Sequence, residues 1–148
     1  MPREAFERLI TADVTTLVTG YGPLPAATGV RDAAGVWGDV GSCRTVTMSD
    51  GSSANERVLT ATSPDRPDPE GRFTYRVDGY TNALRWFASH SDGDWRFRSD
   101  ERGGTRIRWK YTFQPRSIWL APALWLLLAG PVRGYMKAIL RRFEAGAG

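Results

Sequence analysis

Arg44 and Glu56 are the first residues whose types and spacing could do chemistry. They flank the turn signal Ser49-Asp50-Gly51, and a three-residue loop there sets them opposite each other, on the same side as Val46, Met48 and Val58. A charged pair turned toward apolar neighbours loses several kcal/mol of hydration per ion, only partly returned by mutual attraction. Two readings stay open. The pair is a polar anchor or acid/base group at the end of a hydrophobic pocket, or it is a salt bridge closing the sheet rim near the loop Gly35–Val40, which weighs somewhat more. His90, the one histidine, is a candidate general base, because imidazole alone titrates near neutrality without perturbation. The plainer reading is a half-exposed histidine at a sheet edge, with Asp94 as its nearest carboxylate. Tyr75, Tyr111 and Ser99 could offer hydroxyls to a bound carbonyl, although packed rings with satisfied hydroxyls explain them more simply.

Other chemistry is excluded. Cys43 is the single cysteine, so there is no internal disulfide and no cysteine-based metal cluster. It alternates away from the apolar side and has no histidine neighbour, so it is not read as a nucleophile. There is no phosphate loop, zinc spacing, nucleophile elbow or paired-carboxylate signature. No metal and no cofactor is expected. The net charge of +4, from twenty basic and sixteen acidic residues, is a mild excess and weak evidence for nucleic acid, whose partners usually show a concentrated basic stripe, so no nucleic-acid partner is expected. The start of the chain leads into no apolar run. The longest such run, Ile118 to Ala129, holds 12 residues, short of the roughly 18–20 of a spanning helix. A soluble, cytoplasmic protein is expected, as monomer or homodimer. Its 148 residues, 41% hydrophobic and 24% charged, fit one globular domain over 1–148.

Three kinds of element must position these residues. Pro2 to Ile10 reads as a helix with Ala5, Phe6, Leu9 and Ile10 on one face. Thr19 to Pro25, with two glycines and two prolines, breaks regularity. From Gly41 to Gln114 the pattern has period two. Turn signals at Asp50-Gly51, Thr81-Asn82, Asp92-Gly93 and Arg102-Gly104, with a proline-rich connection at Pro64–Gly71, divide it into six strands. Two-residue turns at Thr81-Asn82 and Asp92-Gly93 set Val77 opposite Trp86, Tyr75 opposite Ala88, and Phe73 opposite His90. A three-residue loop at Arg102–Gly104 sets Trp109 opposite Phe97. The inner face then holds Phe73, Tyr75, Val77, Leu84, Trp86, Ala88, His90, Trp95, Phe97, Ser99, Thr105, Ile107, Trp109, Tyr111 and Phe113. Arg76, Asp78, Arg85, Arg96, Arg98, Arg106, Arg108 and Lys110 face solvent. Pro122 to Phe143 is a helix with Leu128, Val132, Tyr135, Met136, Ile139 and Phe143 on one side, kinked at Gly130-Pro131.

This layout resembles the helix-grip fold of the SRPBCC superfamily, the START, birch-pollen-allergen and polyketide-cyclase/dehydrase-like group. The matching residues are Gly20–Pro25, Trp37, Gly41, Arg44-Thr45-Val46, Ser49-Asp50-Gly51, Glu56, Phe73–Val77, Gly104–Trp109 and the closing helix. The expected fold is α+β: a six-stranded antiparallel curved sheet, seven if an N-terminal strand exists, wrapped around a long C-terminal helix, with short N-terminal helices. Members usually open on a strand before the first helix, and none is visible ahead of Pro2. The resemblance implies a small hydrophobic ligand, such as a lipid, polyketide or aromatic compound, held between sheet and helix. The lining expected from the inner face and the helix stripe is Arg44, Met48, Glu56, Tyr75, Val77, Trp86, Ala88, Phe97, Trp109, Tyr111, Leu128, Val132, Tyr135, Met136 and Ile139. Ligand pockets run to roughly 300–1,000 Å³, and the intruding rings predict the low half of that range. A carrier without chemistry is the first reading. A cyclase/dehydrase-type enzyme using Arg44, Glu56 or His90 is the second. A membrane-surface or protein-interaction module using Ile118–Leu128, with Trp119 and Trp125, is the third and least favoured.

Overall fold

The computed structural model describes residues 1–64 and 70–146. The expected connection Pro64–Gly71 lies mostly outside the described residues. In chain order come α1 (Pro2–Thr11), α2 (Val14–Leu17), β1 (Thr19–Tyr21), β2 (Leu24–Ala34), β3 (Cys43–Met48), β4 (Ser53–Thr62), β5 (Gly71–Asp78), α3 (Leu84–Phe87), β6 (Ala88–Ser99) and β7 (Thr105–Pro115). A single 3-10 turn at Ile118–Leu120, α4 (Ala121–Leu127), a π-helical turn at Leu128–Val132 and α5 (Arg133–Ala145) then form one continuous helical segment. The seven strands pair antiparallel in chain order. They make a curled half-barrel with the C-terminal helix against it.

The dry face is the expected one in outline. Phe73, Val77, Trp95 and Phe97 are buried, and Tyr75, Ile107, Trp109, Tyr111 and Phe113 are half-buried. Arg98, Arg106, Arg108 and Lys110 are exposed. The core joins Val58, Phe73, Trp95 and Phe97 of the sheet to Ala5, Phe6 and Leu9 of α1 and Phe143 of α5. Phe6 meets Phe97 edge-on at 5.9 Å, and Trp95 stacks on Trp109 at 4.5 Å. Pro131 removes an amide donor from the closing helix, and the π-helical turn at Leu128–Val132 absorbs the loss.

Three expectations are corrected. First, Asp92-Gly93 is no turn. Residues 88–99 form one strand, and Gly93 lies directly opposite Tyr75. A Cβ on Gly93 would sit 2.5 Å from the Tyr75 ring, so the glycine there makes room for a ring rather than reversing the chain. The pairings become Phe73↔Trp95, Tyr75↔Gly93 and Val77↔Ser91, and on the other side Trp95↔Trp109 and Phe97↔Ile107. Second, Leu84 to Phe87 coil into a helical turn capped by the Asn82 side chain, which accepts from the Leu84 amide at 3.0 Å. Trp86 is thereby exposed. Third, Thr19–Pro25, expected to break regularity, holds β1 and the start of β2, and the sheet has the seven described strands expected where an N-terminal strand exists. The extra strands follow the first helices rather than precede them. Tyr21 of β1 lies against Gly134 of α5, where a Cβ would meet its ring at 2.3 Å.

Candidate functional site

The turn between β3 and β4 has the expected register, with Arg44 opposite Glu56. Arg44 Nε donates to Glu56 Oε2 at 2.7 Å, and the two side chains are only 13% and 14% exposed. The Arg44 guanidinium also lies 3.6 Å from the centre of the Trp37 ring. Trp37, from the loop between β2 and β3, in turn meets Phe73 edge-on at 6.0 Å. The cation is therefore held by a carboxylate at its edge and an indole at its face, an arrangement that suits the flat guanidinium.

This trio forms one end of a cavity of about 80 Å³ between the sheet and the helices. Leu9 and Ala12 of α1, Val14 and Leu17 of α2, and Val18 make one wall. Phe73, Tyr75, Trp95 and Trp109 of the sheet and Ile139 of α5 make the others. The volume corrects the expectation of several hundred Å³. Closure comes from α1, α2 and Trp37, which fill space that alternation along the strands does not reveal. Two polar groups break the apolar lining besides the ion pair. Burial, with the Glu56 charge adding to it, holds the Tyr75 phenol well above its ordinary pKa, so it stays protonated. Trp109 Nε1 is buried near the Tyr75 hydroxyl but makes no hydrogen bond of good geometry among the described residues. An orphaned donor of this kind costs about 1–3 kcal/mol until something accepts from it.

A second polar cluster lies elsewhere on the same face. The Tyr80 hydroxyl and Ser91 Oγ are 2.5 Å apart, and Ser91 donates to the Tyr111 hydroxyl at 3.0 Å. Ser91 is fully buried. Burial pushes the Tyr80 phenol up to about 12 despite its bond to Ser91, and Tyr111 is raised for the same first reason.

Of the residues expected to line a pocket, the cavity brings together Arg44, Glu56, Tyr75, Trp109 and Ile139. Met48, Val77, Ala88, Phe97, Tyr111, Leu128, Val132, Tyr135 and Met136 lie outside it. Phe97 and Ala88 are completely buried within packed core, Tyr111 belongs to the hydroxyl cluster, and Leu128 and Val132 sit in the π-helical turn. Trp86 is on the outside of α3. His90 is corrected as well. In one continuous strand the odd positions from 91 to 97 face inward, and a bulge between Ala88 and His90 lets Ala88 in without bringing His90 with it. His90 lies on the outer face, 3.8 Å from Asp92 and with Nδ1 3.1 Å from Ser89 Oγ. Ser99 is exposed near the end of β6. The residues missed were Trp37, Leu9, Ala12, Val14, Leu17 and Val18, together with Phe73 and Trp95, which were placed on the inner face but not in the lining. An isolated tryptophan inside a glycine-rich loop was the one available signal.

Residues 11–148 match the model of the family described as polyketide cyclase / dehydrase and lipid transport. This chain belongs to that family, within the SRPBCC superfamily. No curated protein matches it. Among solved structures, this family member is similar to Ara h 8.0201, with a TM-score of 0.60 at 16% identity over 97% of this chain and 90% of the other. It is equally similar to the major latex-like protein 151 of Panax ginseng, with a TM-score of 0.60 at 16% identity over 99% and 88%. Both likenesses are of fold. The helix-grip architecture is shared, and the side chains that fill it are this chain's own.

Proposed function

We propose that this SRPBCC protein binds one small hydrophobic molecule with a carbonyl or hydroxyl end, between the inner face of the sheet and helices α1, α2 and α5, as a carrier. The observation that carries the reading is the ring-lined cavity with an orphaned indole donor in its wall and an ion pair at its end. A ligand oxygen accepting from Trp109 Nε1 would satisfy a lining donor left without a hydrogen bond of good geometry, while the rings take the apolar body. The family's description, which joins cyclisation and dehydration of polyketides with lipid transport, supports the same ligand class.

A cavity of about 80 Å³ has room for a few waters rather than a lipid, since each water occupies about 30 Å³. Loading therefore requires a wall to move. The wall best suited is α2, a four-residue helix with no buried residue, which meets the core cluster through the half-buried Leu17. Catalysis has less support. The lining carboxylate is already committed to Arg44, the lining phenol is held protonated, and His90 is on the other face.

The test is a titration of the native protein with an uncharged naphthalene fluorophore, repeated with Ala12→Trp, which places a large ring in the cavity. Saturable binding that Ala12→Trp abolishes is expected, at an unchanged melting transition within a few degrees. Binding that ignores Ala12→Trp, or none to the native state, refutes the reading.

A further inference from the structure

We infer that the exposed apolar patch formed by α3 and the segment Ile118–Leu127 seats this protein on an anionic phospholipid bilayer. Trp86, Ile118, Trp119, Trp125 and Leu126 are all exposed, Trp119 by 88% and Trp125 by 65%. They form one surface. The Arg116 amide donates to the Phe87 carbonyl at 2.9 Å and Arg116 Nε to the Arg85 carbonyl at 2.5 Å, which fixes α3 beside the start of the helical segment. Half of the chain's six tryptophans lie here rather than in the core. Tryptophan has an apolar body and a polar N–H, and the boundary between headgroups and acyl chains satisfies both at once.

Charge selects the occupant. From Arg102 to Phe143 the sequence holds nine cations and no carboxylate, in a chain whose net charge is only +4. All nine cations are exposed. Arg85 and Arg116 border the patch on one side and Arg133 follows it on the other. A second copy of the chain packed symmetrically on this face would set these cations against one another with no carboxylate of the segment to neutralise them. An anionic lipid surface is complementary to both the apolar centre and its basic surroundings. Nucleic acid would answer the charge but not Ile118 and Leu126.

The protein rests on the bilayer and does not cross it. The helical segment Ile118–Ala145 has the length and composition of a span, and only 11% of its most apolar window is buried. Its second half is nevertheless fixed in the core through Val132, Ile139 and Phe143. Ahead of that half lie residues 118–131, themselves held by the buried Leu124 and fewer than the roughly 20 needed to span. Docking needs no change in the interior cavity and stands independently of ligand binding there.

The experiment is flotation of the full chain with vesicles of about three parts phosphatidylcholine to one part phosphatidylglycerol, against pure phosphatidylcholine. Tryptophan quenching by acyl-chain-brominated phosphatidylcholine is read in the same samples. Binding to the mixed vesicles, with quenching and a blue-shifted emission, is expected. Trp119→Ala with Trp125→Ala should weaken binding at least tenfold while leaving the melting curve in place, and Arg133→Gln should weaken it roughly fivefold. Binding that is equal on neutral vesicles overturns the inference. So does flotation without quenching of the wild-type protein, or a Trp119-dependent dimer in sedimentation with no vesicle binding.

Discussion

Two ion pairs of nearly equal length lie on opposite faces of the same sheet. Arg44–Glu56 on the inner face spans 2.7 Å and Arg76–Asp92 on the outer face spans 2.8 Å. The inner side chains are 13% and 14% exposed, the outer ones 43% and 38%. Distance does not separate them, but surroundings do. The inner pair has given up most of its hydration and relies on its partners and on Trp37. The outer pair keeps much of its water, as do the arginines of the neighbouring pairs Arg72–Asp94 and Arg98–Glu70. Loss of one partner should therefore be felt strongly on one face and hardly on the other.

The largest expected effect follows from that contrast. Glu56→Ala leaves a largely dehydrated guanidinium against Trp37, and should cost about 3–5 kcal/mol in a denaturant melt. The double variant Arg44→Ala with Glu56→Ala should recover part of it. A near-neutral Glu56→Ala would erase the difference between the faces. The next effect sharpens it on the alkaline side. Tyr80 and Tyr135 have folded pKa values pushed up to about 12 by burial, against an unfolded value of about 10. The fold favours their neutral form, so their contribution is complete below pH ~10 and lost as pH rises through about 12. Melting temperature should fall across that window, and Tyr80→Phe should flatten the fall. Replacing the ring under Arg44 by Trp37→Leu should cost about 1–2 kcal/mol beyond lost burial, and the excess should vanish in an Arg44→Ala background. The smallest effect is on the outer face. Asp92→Asn should cost about 0–1 kcal/mol, and high salt should remove even that, whereas salt should leave the coupling of Arg44 to Glu56 in place.

The same contrast explains what was legible in the sequence. The Arg44–Glu56 register followed from an Asp-Gly turn between two alternating runs, where local chemistry fixes the pairing. The face that the arginines occupy was legible because any one-residue slip would have buried them. Asp92-Gly93 carried the same turn signal as Asp50-Gly51 and meant something else, because the need for a glycine arose from the Tyr75 ring on a neighbouring strand. That need is invisible to local reading, and it reversed the side on which His90 was placed. β2 was hidden by Pro25, Gly29 and two register shifts, marks of an irregular strand with one partner only three residues long. The size of the cavity was the least legible feature. It depends on how far Leu17 and Trp37 reach over the sheet, and no periodicity along one strand encodes that distance.

The core brings the first and last helices of the fold together. Phe6 of the first helix and Phe143 of the last belong to one cluster, and the Arg8 guanidinium lies 4.5 Å from the Phe143 ring centre. Almost the entire chain forms the loop that this contact closes, with a meander of antiparallel strands inside it. Such a topology has high contact order, and its folding belongs with the slow, non-local proteins rather than with helical bundles. During synthesis the interior cannot be completed until Phe143 has emerged. The aromatic face of the sheet waits open until then, and a chain cut short before Phe143 would be left with it uncovered.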